Sequence, residues 1–152
     1  MRIRVKTTVG QNVQSVKDRF SQDLFLALNP PFPKVDLLAF GGCKKGDVVS
    51  LKLYFPFFSQ IWTSHITEDS ASEDQWLFVD EGVELPFFLK KWKHNHIVEK
   101  SDKGSAIIDD IEFSSGLLLV DLILYPGLMA QFLYRKPIYR RWFKQKESIT
   151  KA

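Results

Sequence analysis

Three side chains in the second half of the sequence have types and spacing suited to acid–base chemistry: His94, His96 and Asp109. Lys91–Lys100 alternates as a strand does, so His94 and His96, two residues apart, share one face. Ser101-Asp-Lys-Gly104 reads as a tight turn, and Ser105–Phe113 as the returning strand. If Ser101 opposes Gly104, then Trp92 faces Phe113, His94 faces Ile111, His96 faces Asp109 and Val98 faces Ile107. That face is apolar apart from the two histidines and the aspartate. The opposite face carries Lys91, Lys93, Asn95, Ile97 and Glu99 against Ala106, Ile108, Asp110 and Glu112, and reads as the water side. A slip of one residue would put Asp110 in the place of Asp109. A carboxylate against a histidine fixes its tautomer and raises its basicity. Such a pair suits a general base or an anchor for a polar ligand head, and when buried it also satisfies itself. His65 has the parity of Ile61 and Thr63, opposite to Trp62, and is expected outside. With so few other ligand-type residues beside His94, His96 and Asp109, no metal is expected.

These residues need a sheet to hold them. Residues 2–9 alternate Arg2, Arg4, Lys6 against Ile3, Val5, Thr7, a half-buried strand. Residues 13–28 place Val13, Val16, Phe20, Leu24 and Leu28 at helical spacing, with a break near Ser21. Asn29-Pro-Pro-Phe-Pro33 stops that helical stretch. Strands follow at Val35–Phe40, Val48–Phe55, Gln60–Thr67, Gln75–Gly82, Lys91–Lys100 and Ser105–Phe113, with Glu68–Asp74 read as a polar turn. Ser114-Ser115-Gly116 offers a helix N-cap, and a long helix is expected to about Gln145, bent near Pro126 and Pro137. On that helix Asp121, Leu124, Leu128, Arg135, Tyr139 and Trp142 fall on one side, and Leu119, Leu122, Ala130 and Leu133 on the other. Asp121 or Arg135 could reach a ligand across a cavity, while the basic second half complements the helix dipole.

Composition bounds the function classes. The chain has 152 residues, which suits one domain with a single core. A formal net charge of +3, well dispersed, gives no ground for a nucleic-acid partner. One cysteine excludes an internal disulfide, and Cys43 in Gly-Gly-Cys-Lys-Lys-Gly reads as an ordinary turn residue. The N-terminus lacks an apolar signal region, so a cytoplasmic location is expected. Residues 116–134 approach the length of a bilayer span, but Asp121, Pro126 and Gln131 argue for a helix buried in a globular domain.

Aromatic residues make up 14% of the chain, 13 of them Phe. In an antiparallel meander alternate loops lie at the same end of the sheet. One end then collects Asn29–Pro33, Pro56–Ser59, Leu85–Phe88 and Ser114–Leu119, rich in Phe, Pro and Leu. The other collects Gly41–Asp47, Glu68–Asp74 and Ser101–Gly104, which are charged. Pro56-Phe-Phe-Ser-Gln-Ile-Trp62 and Pro86-Phe-Phe-Leu-Lys-Lys-Trp92 repeat one local pattern. Phe32, Phe57, Phe58, Phe87 and Phe88 are therefore expected to rim a cavity mouth, meet a bilayer or a second copy, or plug that end of the core. Lys34, Lys90, Lys91 and Lys93 beside them would suit anionic headgroups.

Strand, helix, six strands in hairpins, long helix is an α+β order, an antiparallel sheet of about seven strands. With Trp92-Lys-His-Asn-His96, Ile108-Asp-Asp-Ile111 and Phe132-Leu-Tyr-Arg135, it resembles the START-like, or SRPBCC, superfamily of polyketide cyclase/dehydrases and birch-pollen-allergen relatives, in particular its cyclase/dehydrase-labelled subgroup. The resemblance implies a helix-grip fold: a curved sheet wrapped around the C-terminal helix with a cavity between. It covers residues 1–147 as one domain, with 148–152 expected as a disordered tail. The cavity would be lined by Trp62, Trp92, His94, His96, Asp109, Ile111, Phe113, Leu124, Leu128 and Arg135. The expected function is binding or transport of an apolar small molecule or lipid, without catalysis or cofactor. A cyclase or dehydratase using His96 and Asp109, and an interaction module using the Phe-rich end, are the alternatives. No nucleophile motif, phosphate loop or cofactor signature favours an enzyme. A peripheral membrane contact and a homodimer are the further partnerships the apolar end allows.

Overall fold

The computed structural model describes residues 1–144. The expected domain end at 147 and the tail 148–152 lie outside the described residues. Strand β1 (Arg2–Val9) leads into two short helices, α1 (Val13–Asp18) and α2 (Gln22–Ala27). Six strands follow: β2 (Lys34–Phe40), β3 (Val48–Tyr54), β4 (Ser59–Ala71), β5 (Gln75–Glu84), β6 (Lys91–Ser101) and β7 (Gly104–Ser114). Helix α3 (Leu118–Trp142) closes the fold. The strands form one antiparallel sheet in the order β1-β7-β6-β5-β4-β3-β2, so the meander is sequential and β1 crosses over to pair with β7. β1 alternates exposed and buried along its whole length, as its Arg/Ile pattern requires.

Asn12 caps α1 by accepting from the Ser15 N–H at 2.8 Å, and Ser21 caps α2 by accepting from the Leu24 N–H at 3.3 Å. These caps are why one helical stretch becomes two. The sheet is curled, and its concave side carries two apolar clusters. At the charged end, Val13, Val16, Leu24 and Leu28 pack with Trp76, Phe78, Tyr139 and Phe143. Toward the Phe-rich end, Ile3, Val5, Trp92, Ile111, Phe113 and Phe132 pack together. A cavity opens between the sheet and α3.

Several local expectations need correction. On β7 the face read as the water side is buried at Ala106, Ile108 and Asp110, because the strand lies between β1 and β6 and the Arg2 and Arg4 side chains reach over Asp110. Glu68–Ala71 is strand, pairing with residues 76–79 of β5; only Ser72–Asp74 turns, with the Ser72 N–H donating to the Gln75 carbonyl at 2.7 Å. Polar residues fit there because that strand end is exposed to water on both faces. The Ser-Ser-Gly segment supplies no side-chain cap to α3, whose N-cap is Leu117. Instead Asp121, in the helix's first turn, reaches back and accepts from the Ser115 N–H at 2.6 Å. The first half of α3 is also not buried: Leu118, Leu119 and Leu122 are exposed, and so is Ile123, which borders the cavity. Pro126 and Pro137 lie inside the continuous helix, which ends at Trp142 rather than near Gln145.

Candidate functional site

β5 and β6 bring the polar groups together. Along β5, Trp76, Phe78 and Asp80 point inward; along β6, Trp92, His94, His96 and Val98 do. Asp80 lies directly opposite His94, and Phe78 opposite His96. The β6–β7 hairpin has the register in which His96 opposes Asp109 and His94 opposes Ile111. Gly104 holds that register. Its φ of +146° is a conformation that L side chains rarely adopt, and the backbone of Val9 and Gly10 packs against it.

The hydrogen bonds differ from the opposed pairs. Asp109 Oδ1 meets His94 Nε2 at 2.9 Å, and lies 3.9 Å from His96 Nδ1. The partner of His96 is Asp80, with Nε2 and Oδ2 2.7 Å apart. The same oxygen of Asp80 is 3.4 Å from His94 Nδ1. Asp80 Oδ1 accepts from the Trp92 indole at 3.1 Å. Arg135 reaches in from α3, its Nη1 3.4 Å from Asp109 Oδ1 and its guanidinium 4.5 Å over the Phe132 ring. His96 lies flat on Phe78, centroids 4.1 Å apart and planes 8° from parallel.

Burial is the largest influence on His96: it disfavours the imidazolium and, with the nearby His94, pulls the pKa down to about 4. Burial pushes the Asp80 and Asp109 carboxyls up, but hydrogen bonds from the histidines and neighbouring positive charge outweigh it and hold both below the ordinary value. At neutral pH both carboxylates are therefore ionised and His96 is a neutral donor. Tyr139, one helical turn beyond Arg135, is buried, and its hydroxyl finds no hydrogen-bond partner among the described residues. Burial raises that phenol above its usual value.

The cavity has a volume of about 550 Å³. Trp62, Trp92, His94, His96, Leu124, Leu128 and Arg135 line it, together with Phe32 and Phe88 near the Phe-rich end. Trp62 and Trp92, the tryptophans of the two Pro-Phe-Phe segments, meet edge to face at 4.7 Å. Asp109 sits behind His94, away from the lining. Ile111 and Phe113 belong to the packed cluster behind the wall, fully buried. Phe57, Phe58 and Phe87 also stand outside the lining. Phe58 stacks on Phe55 at 4.8 Å and touches Phe87 at 5.6 Å, while Phe57 is 97% exposed. A chain of rings, Phe32–Phe55–Phe58–Phe87–Phe88, joins the three apolar loops at one end.

The long helix gripped by a seven-stranded curled sheet, with a cavity between them, decides the architecture. This is the helix-grip fold. Solved structures share it. The Zhui aromatase/cyclase from Streptomyces superposes with a TM-score of 0.61 at 15% identity, over 90% of this chain and 89% of that one. The di-domain ARO/CYC StfQ of the steffimycin biosynthetic pathway gives 0.70 at 10% identity, over 93% of this chain; this chain spans half of that one, 50%. A ginseng major latex-like protein from Panax ginseng gives 0.54 at 14% identity, over 90% and 97%. No protein-family model matches the sequence, and no curated protein does. The helix-grip fold is thus shared with polyketide aromatase/cyclases and Bet v 1-like proteins, at identities that carry the fold alone.

Asp80 is the site residue that the hairpin reading misses. Its signal was in the sequence: Trp76, Phe78 and Asp80 alternate within one strand, so Asp80 shares the face of two large apolar side chains. His65, by contrast, is exposed. Cys43 is a cavity-lining residue rather than a plain turn residue, and burial pushes its thiol up to about 12. Asp121 binds the α3 entry rather than facing the cavity.

Proposed function

We propose that the protein binds an apolar small molecule or lipid in the cavity, with the ligand's polar end against the Asp80–His96 wall. The observation that carries this is the cavity itself. Its volume of about 550 Å³ falls within the range of roughly 300–1,000 Å³ usual for small-molecule sites. Its lining is mostly aromatic and aliphatic, with polar groups gathered on one wall, and such polar groups fix a ligand's orientation. Carriage without turnover fits the pairing: His96 is tied to Asp80, and Asp109 is screened behind His94. That the fold is shared with Bet v 1-like proteins supports ligand binding.

The apolar end belongs to the same proposal, as the place where a lipid is collected or delivered. Phe57, Phe87, Leu117, Leu118, Leu119 and Ile123 are each more than half exposed there. The Lys90 side chain packs against Gly116 beside them, and Lys34 and Lys91 are exposed nearby. Apolar side chains ringed by lysines match an anionic bilayer surface.

Native mass spectrometry of protein purified from cells tests the binding: a co-purifying apolar molecule of a few hundred daltons is expected. An empty monomer that also fails to take up fluorescent fatty acids defeats it. For the surface, the chain should float with phosphatidylserine-containing vesicles, and Phe57→Ser with Phe87→Ser should abolish flotation. Unchanged flotation of that variant, or a concentration-dependent dimer that needs the same residues, would remove the membrane from the reading.

A further inference from the structure

The polar wall of the cavity poses a charge problem. Two carboxylates, Asp80 and Asp109, meet two imidazoles and the Arg135 guanidinium in one buried cluster, where charged groups persist only if they are paired or coordinate a metal. His94 stands between two carboxylates, Nε2 at 2.9 Å from Asp109 and Nδ1 at 3.4 Å from Asp80. A neutral His94 that donates from Nε2 to Asp109 turns a bare Nδ1 lone pair toward the Oδ2 of Asp80. Either a proton on Nδ1 or a metal ion bridges that contact.

We propose that Asp80, His94 and His96 form a site for a divalent transition-metal ion, ligated by Asp80 Oδ2, His94 Nδ1 and His96 Nε2, with its remaining position open to the cavity. One ligand atom from each of the three residues lies within 4.8 Å of the other two. A four-coordinate ion with bonds of roughly 2.0–2.1 Å sets neighbouring ligand atoms about 3.3 Å apart. His94 Nδ1 and Asp80 Oδ2 already have that spacing, at 3.4 Å; His96 Nε2 and Asp80 Oδ2, at 2.7 Å, need to part slightly. Seating the ion moves the His96 ring proton from Nε2 to Nδ1, with no net proton gained or lost at that ring.

The surroundings are those a metal site needs. Ligating histidines are normally oriented by a carboxylate on the other nitrogen, and Asp109 does this for His94. Trp92 holds Oδ1 of Asp80 and so presents Oδ2. Phe78 fixes the His96 plane by stacking. Two imidazoles and one carboxylate suit Zn²⁺ or Fe²⁺ rather than Ca²⁺ or Mg²⁺. Three protein ligands with an open fourth position are the pattern of a site that meets a substrate or ligand atom, as opposed to a closed structural one. The proposal goes beyond apolar-ligand binding and does not depend on it, because an empty cavity would still take the ion.

The test is titration of the full chain, dialysed against EDTA, with Zn²⁺ alone and with Co²⁺ alone. One ion per chain at micromolar affinity or tighter is expected, with the strong visible absorption of four-coordinate Co²⁺. His96→Ala should lose binding. Asp109→Asn, which leaves all three ligands in place, should weaken it about ten- to a hundred-fold. His65→Ala should bind as the parent does. Circular dichroism separates loss of the site from loss of the fold; if His96→Ala misfolds, Asp109→Asn carries the test. No Zn²⁺ uptake by the folded parent, or equal uptake by parent, Asp109→Asn and His96→Ala, overturns the site. Nitrogen NMR showing a doubly protonated His94 unaffected by Zn²⁺ would put a proton in that contact and overturn the site equally.

Discussion

Cys43 illustrates how much a single side chain's surroundings decide. A thiol pushed up to about 12, chiefly by burial, is almost wholly protonated near neutrality, and the thiolate is the reactive form. Iodoacetamide at pH 8 should therefore alkylate Cys43 slowly in the folded chain and fast in guanidinium. Equal rates in the two conditions would show the thiol to be open. Asp110 works in the opposite sense on the outer face of β7. Arg2 forks onto it at 2.8 and 2.7 Å, and that hydrogen bonding holds its carboxyl below the usual range. Because the folded pKa is the depressed one, the stability Asp110 contributes is present above the unfolded value, about 3.9, and is lost as pH falls through the folded value. Urea midpoints should put Asp110→Asn below the parent at pH 7, with the gap narrowing as pH falls below about 3.9. A pH-independent gap would rule the linkage out. At this scale the sequence disclosed His94, His96, Asp109 and their common face, because strand parity is rigid. It did not disclose which carboxylate each ring takes, because side chains reach diagonally across strands. His94 turns to Asp109, and His96 turns to Asp80 on the neighbouring strand.

At the level of elements, hydrophobic patterning and turn residues were enough to find all seven strands, though not the pairing of β1 with β7, and loop parity was enough to bring the Phe-rich loops together. Termini were harder to read. The Ser-Ser-Gly motif looked like a cap, but Asp121 takes the Ser115 N–H from inside the helix. The polar end of β4 looked like a turn, because its composition carries no sign of the partner strand that orders it. Where a cap is real it should be measurable: Ser21→Ala removes the acceptor for the Leu24 N–H and should cost about 1 kcal/mol in urea unfolding. Ile111, fully buried on β7, tests the cluster behind the site. Ile111→Ala should cost about 2–5 kcal/mol with the cavity still able to bind, as a packing residue rather than a lining one requires. Loss of ligand affinity at unchanged stability would move Ile111 back into the cavity wall.

The molecule as a whole is polarised along its strands. One end is charged turns; the other is Phe and Leu, continuous with the exposed outer side of α3. A helix buried on only one side normally separates apolar from polar faces. α3 does not: Leu118, Leu119, Leu122 and Leu133 are exposed outside the cavity lining. Its length and composition would also pass for a membrane span.

The sheet order has a consequence for how the chain is made. β1 is joined to the sheet only through β7, by contacts such as Arg2–Asp110 that close a separation of 108 residues. The strands from β2 to β7 can pair with their sequence neighbours as they leave the ribosome, but β1 emerges first and is seated last. Until β7 is synthesised, Ile3 and Val5 have no partner, and the edge of the growing meander stays open to other chains. The arginines and lysine along the outer face of β1 then act as a guard during synthesis, since charged residues discourage an unpaired strand from joining the wrong edge.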